Sequence, residues 1–307
     1  MLSLLLQVRR LKKVSLKSMS RVGMDTAQLT DEERIYVDSR IVETVRPVLV
    51  GRKLFPVFTL PHAGFITVRG YKRTDMNAAR ISLHGQGKNV DRSEKEPFDI
   101  TVPVLHKEFS LWWRDLEASR SNGLPLDTQE AENAARLVAE EEDLLLLTGE
   151  YTGRKLLGIE GLATATGRNT KASAGAWPAN ALTDLSAAIG ELEADGHMGP
   201  YAAVLRSSWA AKLRTLVTNT ATKWIEVIQD LFKAGIYVSD SLYTSAGLTT
   251  IGLVVEPSQE NFEMVVGRDL SLFTKQDEDM NLQCKVHEVV APRIKRPSSI
   301  CEVTGLT

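Results

Sequence analysis

The sequence predicts an α+β fold, and three observations carry that reading. Leu126–Thr166 keeps a helical apolar spacing and then runs into a glycine-punctuated turn, the mark of a long amphipathic helix. Ahead of it, Phe65–Tyr71 and Phe98–Val104 are rich in β-branched and aromatic residues and enclose a long polar segment. Behind it, strands and helices follow one another without the regular alternation of a doubly wound sheet. A chain of 307 residues, 43% hydrophobic and 25% charged, can bury a sizeable core and suggests about two domains.

The first 24 residues hold Arg9, Arg10, Lys12, Lys13, Lys17 and Arg21 and no acidic side chain, so the rest carries −8 of a formal net charge of −2. That basic arm has three open readings: a polyanion-binding tail, an amphipathic helix on a partner, or a disordered extension. Leu2 and Leu4–Leu6 precede the basic residues, the reverse of a secretory signal, and are far too few for a membrane span, so a cytoplasmic protein is expected. Thr30 followed by Glu33 forms a capping box and predicts a helix through Tyr36, Val37, Ile41, Val42 and Val45, stopped by Pro47. Val48–Pro56 is apolar and of undecided state.

From Phe65 to Arg114 the pattern is extended. The two strands flank a polar tip with Gly85, Gly87 and Asn89, which predicts a protruding hairpin too poor in apolar residues to be stable alone. It is expected to lie on a neighbouring subunit. In the long helix, Asp127 with Glu130 supplies a second capping box, and Ala131, Ala134, Ala135, Val138 and Leu145 form the apolar side. Glu132, Arg136, Glu140 and Asp143 are expected on the polar side, and Leu144–Leu147 is expected to be buried. Gly149 and Gly153 mark the exit, and Gly158–Leu162 reads as a compact turn. Thr166–Asn180 reads as a loop, Leu182–Ala194 as a helix and Tyr201–Arg206 as a strand. Helices at Ser208–Val217 and Trp224–Ala234 follow, then strands at Ile236–Ser239, Thr250–Glu256, Phe262–Val266, Leu282–Lys295 and Ile300–Val303.

Catalytic and metal-binding patterns are missing. His62, His84, His106, His197 and His287 are scattered, and neither an HExxH nor a CxxC pattern occurs. The run Glu140–Asp143 cannot face a common substrate, because consecutive helical residues point in different directions; it reads as a solvated or interface face. Gly149–Lys155 lacks phosphate-loop spacing and follows a helix rather than a strand. Cys284 and Cys301 sit in apolar strand-like runs and read as buried thiols, with a disulfide left open. Trp112-Trp113 is either a stacking platform for a flat ligand or a core pair at the root of the hairpin.

Four segments, taken in order, carry a resemblance. They are Val48–Phe55; Phe109-Ser110-Leu111 with the long helix through Gly161-Leu162; Gly199-Pro200-Tyr201 with its following helices; and Val265–Ser271 continuing to Ala291–Pro297. Together they cover nearly everything from Asp31 to Val303, and the chain resembles an encapsulin (linocin-like) shell protein of the tailed-bacteriophage major-capsid fold. The resemblance implies a basic arm (1–30), an N-terminal helix and strand (31–60), an extended loop across a neighbouring subunit (61–108), a peripheral domain built on the spine helix (109–180) with C-terminal strands (271–307), and an axial domain (181–270).

The same resemblance implies self-assembly into an icosahedral shell, a nanocompartment enclosing a cargo protein, without catalysis or cofactor. It places Thr218, Asn219 and Thr220 at a hydrophilic pore, and Ile41, Val45 and Arg52 at the cargo-docking groove. There the chain departs from the family: Pro56 stands where an acidic residue is usual, and Pro47 interrupts a helix that normally continues. A tryptophan linked to flavin in some members aligns with Arg114, beside Trp113, so flavin is not expected. The alternatives are a viral major capsid protein with the arm on packaged nucleic acid, and a flavin- or small-ligand-binding enzyme using Trp112 and Trp113.

Overall fold

Thr30 and Glu33 open the first helix, α1 (Asp31–Val45), by exchanging bonds: Thr30 N–H donates to Glu33 Oε2 at 2.8 Å and Glu33 N–H to Thr30 Oγ1 at 3.3 Å. The computed structural model describes residues 29–45, 50–73, 94–122, 128–149, 158–218, 221–242 and 250–305, with positions 76, 79, 81, 83 and 92. Pro47, Gly85, Gly87, Asn89, Asp127 and Gly153 lie outside the described residues. Val37, Ile41 and Val45, one turn apart, are the buried stripe of α1.

The undecided apolar segment holds a single helical turn, α2 (Gly51–Leu54), and then β1 (Val57–Thr59). The hairpin is present with its strands shifted from Phe65–Tyr71 and Phe98–Val104: β2 (Thr67–Arg73) pairs antiparallel with β3 (Lys95–Thr101), from Thr67 opposite Thr101 to Arg73 opposite Lys95. β4 (Val104–Leu111) follows, and then a helix that the extended reading missed, α3 (Trp113–Asn122). Its only buried residue is Leu116, so no apolar periodicity announces it. The spine helix is α4 (Gln129–Thr148), flanked by Thr128, whose hydroxyl donates to Glu132 Oε1 at 2.8 Å. Gly149 ends it at φ +72°, against the backbone of Gly161, where a Cβ on either glycine would strike the other's main chain.

A second correction falls at 166–180, read as loop, which contains β5 (Asn169–Ala172). Next come α5 (Ala181–Ala194), β6 (Ala202–Leu205), α6 (Ser207–Leu213), α7 (Trp224–Gln229), β7 (Gly235–Val238) and β8 (Thr250–Val255). The chain closes with β9 (Phe262–Gln276), β10 (Leu282–Ile294) and β11 (Ile300–Thr304). Among the described residues β5, β11, β8, β6 and β7 form one sheet in that order, and β1, β9, β10 and β4 another.

The five-stranded sheet is covered on both faces. Ala202, Val204, Leu253, Val255 and Ile300 face a cluster with Leu146, Leu162 and Phe262. Ala203, Leu205, Val254, Cys301 and Val303 face the opposite cluster, with Leu185 and Leu192 of α5 and with Phe232. Such burial explains why these strands read as continuous apolar runs.

Two compact units divide the chain. One comprises residues 1–48, 106–139 and 270–288, the other 49–105, 140–269 and 289–307, so β4, α4, β9 and β10 each run from one into the other. Cys284 falls in the first and Cys301 in the second; both are buried free thiols, and burial pushes each up to about 12.

Candidate functional site

The C-terminal end of α4 corrects the expectation of a solvated or interface face for two of its four acidic residues, while Glu140 is exposed and Glu141 half-buried. Glu142 and Asp143 are buried. Asp143 caps the short helix α2, accepting from Val50 N–H at 3.0 Å and Gly51 N–H at 2.8 Å. Burial pushes its carboxyl above the ordinary range, against the pull of the Gly51 and Val50 amides. Glu142 accepts from Arg52 Nε at 2.8 Å, and Arg52 Nη1 reaches Asp269 at 2.7 Å. Burial works against the Arg52 charge, but the charges and hydrogen bonds of Glu142 and Asp269 outweigh it and hold the guanidinium firmly protonated. Arg52 is therefore committed to an ion-pair network within its own unit.

Ile41 and Val45, the other two docking candidates, belong to the other unit and are buried along α1. The same helix leaves Ile35, Tyr36 and Val42 exposed. Ile35 and Val42, two helical turns apart, lie on one face.

The pore candidates lie between α6 and α7. Leu216 bridges Lys223, Val217 N–H donates to Thr222 O at 2.9 Å, and Thr218 is exposed. Asn219 and Thr220 lie outside the described residues, as do Arg9, Arg10, Lys12, Lys13, Lys17 and Arg21.

The hairpin exposes apolar side chains. Ile66 is 75% exposed and Tyr71 55%, and Met76, Ile81 and Leu83 beyond β2 are also exposed. Trp112 does not pack in a core either: it is 61% exposed, while Trp113 is half-buried with the Arg114 guanidinium 5.6 Å from its ring centre.

This architecture is that of the tailed-bacteriophage major capsid proteins. The virus-like particle of Pyrococcus furiosus superposes with a TM-score of 0.65 at 20% identity, over 89% of this chain and 98% of that one. The capsid of Myoviridae phage XM1 gives 0.65 at 13% identity, over 84% and 92%. Within that fold, residues 19–291 match the Linocin_M18 family, encapsulating protein for peroxidase. The type 1 encapsulin shell protein EncA of Myxococcus xanthus is 31% identical over 279 residues, 90% of this chain and 94% of the relative. The chain belongs to the encapsulin (linocin) family.

Proposed function

We propose that the chain is the subunit of a closed icosahedral shell in the cytoplasm, enclosing a cargo protein, and that its part in assembly is structural. The carrying observation is the family match over residues 19–291 joined to a hairpin that leaves Ile66 and Tyr71 exposed on the folded subunit. In this reading residues 61–108 lie across a neighbouring subunit, residues 109–180 with 271–307 form the peripheral domain, and residues 181–270 surround a symmetry axis. Thr218, Asn219 and Thr220 line the opening there.

Cargo docking is assigned to α1; Arg52, the remaining candidate, is held in its own unit by Glu142 and Asp269. Since Ile41 and Val45 are buried, their role is to hold the helix, and Ile35 and Val42 offer the contact. A polyanion role for the basic arm rests on its charge alone.

Negative-stain microscopy with quantification of nucleic acid after nuclease treatment tests the proposal. Uniform shells with co-purified protein cargo are expected. Protected DNA would move the assignment to a viral capsid protein, and a strictly monomeric or dimeric species would overturn both.

A further inference from the structure

The fold brings together three side chains far apart in sequence, in an order that the sequence does not announce. His197 follows the C-terminal end of α5, Glu256 the end of β8, and Ser298 sits in the turn Pro297–Ser299 before β11. His197 Nδ1 lies 2.8 Å from Glu256 Oε2, and His197 Nε2 lies 3.1 Å from Ser298 Oγ.

The carboxylate orients the ring: Glu256 Oε2 only accepts, so Nδ1 donates to it, and in the neutral imidazole Nε2 is then the acceptor. Ser298 O–H then donates to Nε2. Asn261 Nδ2 donates to the same Glu256 oxygen at 2.8 Å and to the Glu256 carbonyl at 3.1 Å, which fixes the carboxylate. The serine is held as firmly: Glu256 N–H donates to Ser299 O at 3.2 Å, and Asn169 Nδ2 to Ser298 O at 3.3 Å. His197 is 5% exposed, whereas Ser298 is half-buried, near the exposed Arg296 and beside the deeply buried Ser299. Arg296 also lines a cavity of about 380 Å³ with Tyr71, Glu260 and Lys295.

We propose that Ser298, His197 and Glu256 form a nucleophile–base–carboxylate relay that is acylated by small activated carboxylic esters. The arrangement meets the geometric requirements of such a relay: nucleophile to base, base to an orienting acid, and the acid itself anchored. In the first step Ser298 Oγ bonds to the ester carbonyl carbon and its proton passes to His197 Nε2. The bond to the leaving oxygen then breaks, and that oxygen takes the proton as the alcohol departs. Water attacks the acyl-serine next, giving its proton to Nε2; the carboxylic acid leaves and Oγ recovers its proton. The balance is ester plus water to acid plus alcohol, with no other reactant. The relay lies within a single subunit and does not depend on the shell reading.

A hydrogen-bonded clamp of the same shape leaves the hydroxyl as inert as any other serine, and covalent labelling separates the two. Diisopropyl fluorophosphate is added to the intact protein and the adduct mapped by peptide mass spectrometry. The Oγ–P bond forms, fluoride leaves with its electron pair, and the proton passes through Nε2 to solvent. The expected result is an adduct on Ser298 that forms equally in Ser299→Ala and at least ~100-fold more slowly in His197→Gln. If His197→Gln does not fold, Glu256→Gln, which keeps the side-chain shape, must also slow the labelling. No adduct at Ser298, or one whose rate is unchanged in the folded variant, overturns the proposal.

Discussion

The β2–β3 hairpin and the five-stranded sheet share β-branched residues, but the hairpin also carries Arg69, Lys72, Arg73, Lys95, Glu96 and Asp99, and the two end in opposite states. In the sheet, Ala202–Leu205, Ile251–Val255 and Ile300–Val303 are buried throughout. In the hairpin, Val68, Phe98 and Ile100 are half-buried and most of the remaining described side chains are exposed. Gly70 alone is deeply covered, because the Phe98 ring lies over it at a distance that leaves no room for a Cβ. The Arg69–Asp99 pair across the strands, at 2.8 Å, is exposed and adds little. Val68 and Ile100 pack against the buried cluster of Leu60, Val102 and Val265, but two strands with so little of their surface covered are marginal in water. The sheet is completed inside the subunit, whereas the exposed part of the hairpin is, in the proposed reading, covered by a neighbouring subunit.

The largest test of that contrast is deletion. Removing Tyr71–Lys95 should abolish closed shells while leaving a cooperatively melting subunit, read by microscopy alongside calorimetry. Normal assembly of the deletion would place the intersubunit contact elsewhere.

Inside the sheet the effect should reverse, with stability lost first. Glu302 of β11 is buried and accepts from Arg168 Nε at 2.9 Å and Nη2 at 2.6 Å. Arg168→Met strips a buried carboxylate of that charge and should cost about 3–5 kcal/mol, measured by urea titration. Leu253→Ala, in a fully buried position of β8, should cost about 2–5 kcal/mol. By contrast Ile66→Ser, at the root of the hairpin, should leave subunit stability within about 0.5 kcal/mol and weaken the shell. A matching loss of subunit stability for Ile66→Ser would erase the distinction between the two regions.

What could be read from the sequence follows the same division between local and distant causes. The capping box of Thr30 and Glu33, the glycine stop at Gly149 and the apolar strands each have their cause within a few residues, and all are present. The missed elements lack a local cause. α3 presents a single buried side chain, and β5 is an edge strand of polar residues that exists because β11 pairs with it. Glu142 and Asp143 looked solvent-facing because their partners, Arg52 and the amides of Val50 and Gly51, lie some ninety residues earlier in the chain. The same reason hid His197, Glu256 and Ser298, which no motif spacing links. The family resemblance supplied the architecture, yet it directed attention to Ile41 and Val45, which the fold buries.

Between the uncovered hairpin and the sealed sheet lies a contact of the middle kind, and it should show the smallest effect. Glu33 of α1 accepts from Arg120 of α3 at 2.9 Å (Nε) and 2.7 Å (Nη2), with the two side chains 20% and 25% exposed. The Arg120 hydrogen bonds, opposed by burial and helped by the Thr30 amide, hold the Glu33 carboxyl below the usual glutamate range. Its folded pKa is thus the lower one, so the stabilisation is complete above the unfolded value and lost as pH falls through the folded value. Glu33→Gln should cost about 1 kcal/mol at neutral pH, because solvent screens a pair this open. The gap between parent and variant urea midpoints should close on acidification below the ordinary glutamate range. A gap that stays constant to low pH would mean that Glu33 acts through its cap on Thr30 alone, which a neutral glutamine also supplies in part, and that the charge on Arg120 contributes nothing.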